Sequence, residues 1–318
     1  MTGADRRSVS SGLAAALVAA SAPAAAQTAA VEVLAAGSAG EGDDQLARAV
    51  AEGLNATRLV PRATAVNVPR ETMAISDFID GRRPRASLMV ISLSTVGALA
   101  ISGHDKYLNS VRPIARLVGE HQPIVVPAAS PFGTLADLMA ALRRDPSSVG
   151  WTGRPYGSAD HQLALLLTSA AGADPRGLAY RPVDTSARAA LDALTGAATV
   201  ASGALGEFRH QMRGGTLRAL ALASPARAPG VDAPTLREQG VDITMMNWRG
   251  VVSRGAVGPT LLGRFDEAID RLVQVSGWRQ LLAQRSWEDL YEPAEPFRRF
   301  IQDERARVGA LMARRGPS

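Results

Sequence analysis

Residues 31–54 read VEVLAAGSAGEGDDQLARAVAEGL, and this stretch contains one complete structural unit. Val31–Ala36 is a short apolar run typical of a buried strand. Residues 43–54 predict a helix, because Leu46, Val50 and Leu54 recur there on one helical face. A glycine-rich turn joins the two elements. A strand, a turn and a helix in this order predict an α/β fold.

The same alternation of short apolar runs and helical patterns continues along the chain. A first α/β unit is complete near residue 93, and a second runs from about residue 127 to residue 240. The last stretch predicts one strand at 250–253 and helices at 259–275, 278–285 and 294–312. We expect the chain to pass between the two units near 127–131 and 246–250.

The composition excludes several classes of protein. The 318 residues are 46% hydrophobic, 20% charged and 4% aromatic, which is typical of a globular chain. The absence of cysteine excludes disulfides, thiolate nucleophiles and cysteine-bound zinc. The formal net charge is +5, but basic and acidic residues alternate along the helices, so we expect no nucleic-acid partner. The apolar stretch 87–102 contains serines, a threonine and a glycine, which favour a strand and a helix over a membrane span.

The amino terminus has the layout of a secretory signal. Arg6 and Arg7 precede a short apolar segment, and the small residues 24–26 precede Gln27. We therefore expect residues 1–26 to be a signal peptide that is cleaved near Ala26. Because the arginine pair follows Asp5, the export route stays open.

The first strand-to-helix loop, 37–44, is the most informative local motif. It lacks the dinucleotide fingerprint, because Ala39 occupies the position of the middle glycine. Its remaining features are glycines that let a ligand approach the backbone and a helix amino terminus that favours an anion. An ordinary tight turn is an equally supported alternative.

A second loop of this kind, 153–158, lies in the second unit. The Ser158 hydroxyl, the N–H groups that follow it, Arg154 and Tyr156 together form a candidate carboxylate site. Taken alone, the same residues are consistent with a capped helix and nothing more.

No catalytic or metal-binding constellation is evident. The four histidines have no metal-ligand spacing, and no serine lies in a nucleophile elbow. We therefore expect neither an enzyme nor a metal or cofactor site.

Five passages, taken in order, resemble the substrate-binding proteins of tripartite tricarboxylate transporters, the Bug or TctC type. They are VRPIARLVGE at 111–120, SPFGTLADL at 130–138, LRALALASP at 217–225, APTLREQG at 233–240 and NWRGV at 247–251. The resemblance implies a two-lobed α/β periplasmic-binding-protein fold of type II with a ligand cleft between the lobes. It places residues 27–128 and 248–318 in one lobe and residues 129–247 in the other.

In this family ligand carboxylates are held by the first loop of one lobe and the glycine-serine loop of the other, often through waters. The resemblance also implies a monomeric periplasmic receptor for a small di- or tricarboxylate that delivers it to membrane transporter subunits. The ligand-binding residues carried over are Ser38, Gly40, Glu41, Gly42, Asp44, Ser94, Thr95, Arg154, Tyr156, Gly157, Ser158, His161 and Ser202.

Three departures from the family pattern bear on specificity. Glu41 stands within the usual glycine run, 69–73 read PRETM in place of a glycine-rich turn, and 181–185 replace a small-residue turn. An unpaired Glu41 opposes a bound carboxylate unless it turns away, is protonated, or pairs with Arg70 or Arg154. Two alternatives therefore remain: a binder of an amino acid or other zwitterion, and an orphan receptor that presents its ligand to a sensor kinase.

Overall fold

The computed structural model describes residues 30–83 and 86–315. The expected signal peptide, 1–26, lies outside the described residues. No helix within the described ranges is both long enough and apolar enough to cross a bilayer.

A six-stranded sheet forms the first lobe. Its strands, with the helices that connect them, come from both ends of the described chain. They are β1 (Val31–Ala36), α1 (Gly42–Thr57), β2 (Ala63–Val68), α2 (Glu71–Ile79), β3 (Ala86–Ser92), α3 (Leu93–Ser102), β4 (Val111–Glu120), β10 (Asn247–Arg254), α8 (Pro259–Gln274), α9 (Ser276–Arg285), β11 (Trp287–Pro293) and α10 (Ala294–Met312).

A five-stranded sheet forms the second lobe from the middle of the chain. Its elements are β5 (Pro123–Pro127), α4 (Leu135–Arg144), β6 (Trp151–Gly153), α5 (Ala159–Ala170), β7 (Tyr180–Pro182), α6 (Ser186–Leu194), β8 (Val200–Ser202), α7 (Leu205–Arg213) and β9 (Leu217–Leu222). Short 3₁₀ turns lie at Asp105–Asn109, Pro146–Ser148, Pro175–Gly177 and Arg237–Gln239.

The two sheets share one topology. The first has the order β11-β4-β10-β3-β1-β2, and the second has the order β7-β6-β8-β5-β9. Each sheet contains three parallel strands, β2-β1-β3 in the first and β7-β6-β8 in the second. Beside them lies an antiparallel strand that comes from the other lobe: β10 pairs with β3, and β5 pairs with β8. This arrangement confirms the two-lobed α/β fold.

The chain changes sheets earlier than the sequence predicted. β4 ends at Glu120 and β5 begins at Pro123, so the first crossing lies at 121–122 and not at 127–131. The second lies between β9 and β10 and ends close to the expected 246–250. β5 pairs with β8 and β9 in the second sheet. The lobe boundaries at 128 and 248 stay a prediction.

Apolar side chains bury both faces of the first sheet. Leu46, Val50 and Leu54 of α1 pack with Phe265 and Ile269 of α8 in one buried cluster. On the other face α10 packs against α3 and β4 and also contacts α5 of the second lobe. The loops at the carboxyl ends of β1, β3 and β6 are thereby held towards one gap between the lobes, where open α/β sheets bind ligands.

Candidate functional site

A cavity of about 510 Å³ lies between the two lobes. Its walls come from the carboxyl ends of β1, β2 and β3 in the first lobe and from the loops after β6 and β7 in the second. The lining residues are Ala36, Gly37, Ser38, Glu41, Asp43, Pro69, Arg70, Ser94, Arg154, Pro155, Tyr156, Ser158 and Asp184. The two glycine-containing loops predicted to face one another therefore line one crevice.

The loop after β1 turns sharply to reach α1. Gly37 and Gly40 adopt φ values of +99° and +83°, a region that favours glycine. Glu41 occupies the N-cap position of α1, but its side chain makes no capping hydrogen bond. The carboxylate instead reaches the cavity, with 17% of the side chain exposed.

The environment of Glu41 disfavours a negative charge. Burial raises the pKa of its carboxyl above the ordinary value. The nearby Arg154 guanidinium opposes that rise, whereas the charges of Glu207, Asp160 and Glu120 add to it. The atoms Glu41 Oε2 and Arg154 Nη1 are 3.9 Å apart, at the outer limit of an ion pair between the lobes.

The loop after β6 is fixed by internal hydrogen bonds. Asp160 Oδ2 accepts from the backbone N and the Nε of Arg154 at 2.9 and 3.0 Å, and its Oδ1 accepts from Nη2 at 3.2 Å. The Ser158 hydroxyl caps α5 by accepting from His161 N at 3.3 Å. Gly157 N donates to His161 Nδ1 at 3.2 Å. The pKa of His161 is lowered by burial to about 4, so its imidazole is neutral at neutral pH.

Several amide groups of this second loop are already bonded. Ser158 N donates to Pro155 O at 2.9 Å, and Ala159 N donates across the lobe boundary to Ser94 Oγ at 3.3 Å. The N–H groups of Ala159 and His161, two of those expected to face a carboxylate, are therefore occupied. The hydroxyls on this wall are occupied as well, because Ser158 Oγ donates to Arg154 O at 3.1 Å and Tyr156 Oη donates to Tyr180 O at 3.3 Å.

Direct contacts join the lobes beside the cavity. Gln162 Nε2 of α5 donates to Leu93 O of the first lobe at 3.1 Å, and Ser38 Oγ donates to Asp184 O at 3.3 Å. Gly97 of α3 lies against Gly157 so closely that a Cβ on Gly97 would be 1.9 Å from Gly157 O. The lobes are thus in contact on both sides of the cavity opening.

A buried charge network supports the cavity floor. Arg249 on β10 pairs with Asp43 and with Glu120, each at 2.8 Å, and 1% of its side chain is exposed. Asn247 lies between this group and Arg154. An orientation that turns its amide oxygen towards both guanidinium groups gives hydrogen bonds of 3.3 and 3.2 Å. The network links the strand that returns from the second lobe to the loops that line the cavity.

Six of the residues expected to bind ligand line this cavity: Ser38, Glu41, Ser94, Arg154, Tyr156 and Ser158. The other seven are not among the residues that line the cavity; these are Gly40, Gly42, Asp44, Thr95, Gly157, His161 and Ser202.

The supporting roles of three of these residues are direct. Asp44 accepts from Gly40 N at 2.9 Å and pairs with Arg48, which fixes the first loop. Gly42 gives room to Arg249, because a Cβ at this position would be 2.0 Å from Arg249 Nη2. Ser202 Oγ accepts from Trp151 Nε1 at 3.1 Å inside the second lobe.

Arg70 is the main cavity residue that was not among the expected ligand-binding residues. Its φ of +101° is an outlier for a residue with a long side chain, and the residue lines the cavity. The side chain is exposed and makes no hydrogen bond or ion pair with the described residues. The sequence pointed to Arg70 only through the replaced turn at 69–73 and as a candidate partner of Glu41.

The described part of the chain contains no group of histidines and acids that could hold a metal ion.

Comparisons with known proteins agree with this geometry. A family model described as "Tripartite tricarboxylate transporter family receptor" matches residues 104–316, about two thirds of the chain. A UPF0065 protein encoded in the gbd 5' region of Cupriavidus necator is 24% identical over 207 residues, which cover 64% of this chain. The match spans 61% of the length of that relative.

Two solved structures show the same fold. A TctC solute-binding protein from Polaromonas superposes with a TM-score of 0.69 at 24% identity, covering 89% of this chain and 98% of its own. MatC from Rhodopseudomonas palustris, solved with bound malate, gives a TM-score of 0.71 at 19% identity, with 89% and 98% covered.

Proposed function

Because the chain belongs to the tripartite tricarboxylate transporter receptor family (TctC), we propose that it captures a small organic acid in the cavity between its lobes. A protein of this family is a receptor and not an enzyme. Delivery of the bound acid to membrane transporter subunits, and export to the periplasm with cleavage near Ala26, are parts of the same proposal.

The observation that carries the proposal is the composition of the cavity wall. Loops from both lobes line one cavity between them, as a receptor that closes on its ligand requires. Arg70 offers a guanidinium whose donors are unused by the described residues. A carboxylate is the partner that such a fork holds best, because two parallel hydrogen bonds form at once.

One hydroxyl on the same wall supplies a further donor. Ser94 Oγ accepts from Ala159 N, which leaves its hydrogen for a ligand, whereas the hydroxyls of Ser38, Ser158 and Tyr156 already donate to backbone oxygens at 3.1–3.3 Å. Charge-assisted hydrogen bonds contribute roughly 1.5–3 kcal/mol each. Four such bonds at the upper end of this range contribute about 12 kcal/mol, which leaves about 8 kcal/mol after an association cost of about 4 kcal/mol and corresponds to micromolar binding. The malate held by MatC is a small organic acid of the proposed kind.

A thermal unfolding screen tests the proposal. The purified chain is heated with mono-, di- and tricarboxylates and with amino acids, each at millimolar concentration. An acid present at a hundred times its Kd is expected to stabilise the fold by about 2.7 kcal/mol, which raises the Tm by several degrees. An unchanged Tm with every acid would refute the proposed function.

A further inference from the structure

The cavity is lined by more acidic groups than a receptor for a simple polycarboxylate requires. Glu41, Asp43 and Asp184 carry negative charge on its wall, against the positive charges of Arg70 and Arg154. Whether a ligand meets these charges depends on which of them the protein already neutralises.

Two of the five charges are neutralised inside the protein. Asp43 accepts from Arg249 Nε at 2.8 Å and from the Ser92 hydroxyl at 3.0 Å. Arg154 is held by Asp160, whose side chain is fully buried. Both pairs are short and belong to the supporting network.

Glu41 and Arg70 remain available to a ligand. The Glu41 carboxylate has only the 3.9 Å approach to Arg154, and Arg154 already gives its short bonds to Asp160. Arg70 has no side-chain partner among the described residues. One unneutralised anion and one unneutralised cation therefore face the same space. Asp184, at the exposed edge, adds a second negative charge.

The Glu41 carboxylate itself makes its side of the cavity a poor place for a second carboxylate. It lies 3.9 Å from the Arg154 guanidinium, but that cation gives its short bonds to Asp160. A ligand carboxylate there would face a like charge in a partly desolvated space, whereas a cationic nitrogen would be attracted.

We propose that the ligand is a carboxylate that also carries a cationic nitrogen, with its carboxylate at Arg70 and its nitrogen at Glu41. This inference rests on the proposed function, since it assumes that the ligand occupies the interlobe cavity. Glu41 is then the residue that selects amino acids and related zwitterions over simple organic acids.

Matched pairs of acids test the inference by isothermal titration calorimetry. The pairs are aspartate with succinate, glutamate with glutarate, and β-alanine with propionate, so that each pair differs by one ammonium group. The variants are Glu41→Gln, which keeps the shape but removes the charge, and Glu267→Gln as a matched control. Glu267 is exposed on α8 and pairs with Arg271 away from the cavity.

We expect the amino member of at least one pair to bind the unchanged protein roughly ten- to a hundredfold more tightly than its partner, as one charge-assisted bond requires. Glu41→Gln should abolish that preference and tighten the binding of the amine-free acid, while Glu267→Gln should retain the preference.

Two other outcomes overturn the inference in distinguishable ways. If succinate, glutarate and propionate each bind as tightly as their amino partners or more so, the ligand class is wrong while the proposed function stands. If no acid of either kind binds, the proposed function fails as well. A preference for the amino acid that persists in Glu41→Gln also overturns the role of Glu41.

Discussion

Replacement of Gly97 by alanine should separate the lobes without weakening either one. Gly97 lies within α3, where alanine is favoured over glycine by about 1 kcal/mol. In the present arrangement, however, the added Cβ would be 1.9 Å from Gly157 O and 2.9 Å from Gln162 Nε2. The backbone oxygen cannot move aside by a rotamer change, so the second lobe has to withdraw.

The size of the effect follows from the contacts that are lost. Ordinary van der Waals contact begins at 3.4 Å, so the lobes must separate by about 1.5 Å at this point. That shift breaks the hydrogen bonds from Ala159 N to Ser94 Oγ and from Gln162 Nε2 to Leu93 O. At about 0.5–1.5 kcal/mol each, their loss disfavours the closed arrangement by about 1–3 kcal/mol. A ligand that requires closure should bind roughly five- to a hundredfold more weakly.

Distance measurement between spin labels reports the separation of the two lobes directly. The chain contains no cysteine, so cysteines introduced at Arg264 on α8 and Arg144 on α4 label one lobe each without background. Gly97→Ala should lengthen or broaden the distance distribution and lower the Tm only slightly or not at all, because the gain in helix propensity of about 1 kcal/mol offsets much of the ~1–3 kcal/mol lost between the lobes. Gly263→Ala is the matched control, because it is also helical and its Cβ would meet nothing within 4 Å.

An unchanged distance distribution in Gly97→Ala, together with unchanged affinity for the best acid of the thermal screen, would refute the reasoning. It would mean that the contact between Gly97 and Gly157 plays no part in closure.

Three further changes have defined outcomes. Arg70→Gly should raise the free energy of unfolding by about 1–3 kcal/mol, because glycine adopts φ of +101° without strain. The same change should weaken carboxylate binding. A lower stability in denaturant titration would contradict the strain argument. Because the pKa of His161 falls to about 4 on folding, the unfolded chain binds more protons below pH 6.5. Stability should therefore decrease by up to about 3 kcal/mol as the pH drops from 6.5 through 4, and His161→Asn should flatten that slope in urea midpoints measured at each pH. A slope equal to that of the unchanged protein would count against the assignment. Arg249→Met leaves Asp43 and Glu120 buried without their cation and should cost about 3–5 kcal/mol; a urea midpoint that does not move would be incompatible with the network.

Hydrophobic periodicity in the sequence was enough to predict most of the helices and the alternating fold. α1, α8 and α10 begin and end within a few residues of the positions expected from apolar spacing. The pattern missed β4, β5 and β11. The first two contain or are bounded by prolines, at 113, 123 and 127, and proline is a weak strand former. β11, which reads WEDLYEP, has no continuous apolar run.

The sequence was enough to predict that the two loops meet, but not which of their residues line the cavity and which hold the loops in place. Sheets with parallel strands direct such loops to a common edge, which follows from strand order alone. The contact between Gly157 and Gly97 depends on packing between segments that are distant in sequence. The hydrogen bond from Gly40 N to Asp44 depends on the exact conformation of the turn. The sequence singled out Arg70 as part of a departure from the family pattern and as a candidate partner of Glu41, but it did not show that its backbone keeps a left-handed φ.

A crystal structure of the protein with the tightest-binding acid from the thermal screen tests the central claim most directly. We predict the acid in the cavity between the lobes, its carboxylate within hydrogen-bonding distance of Arg70 and the rest of the molecule in contact with residues 154–158. An acid bound to one lobe alone, or on the outer surface, would contradict the account.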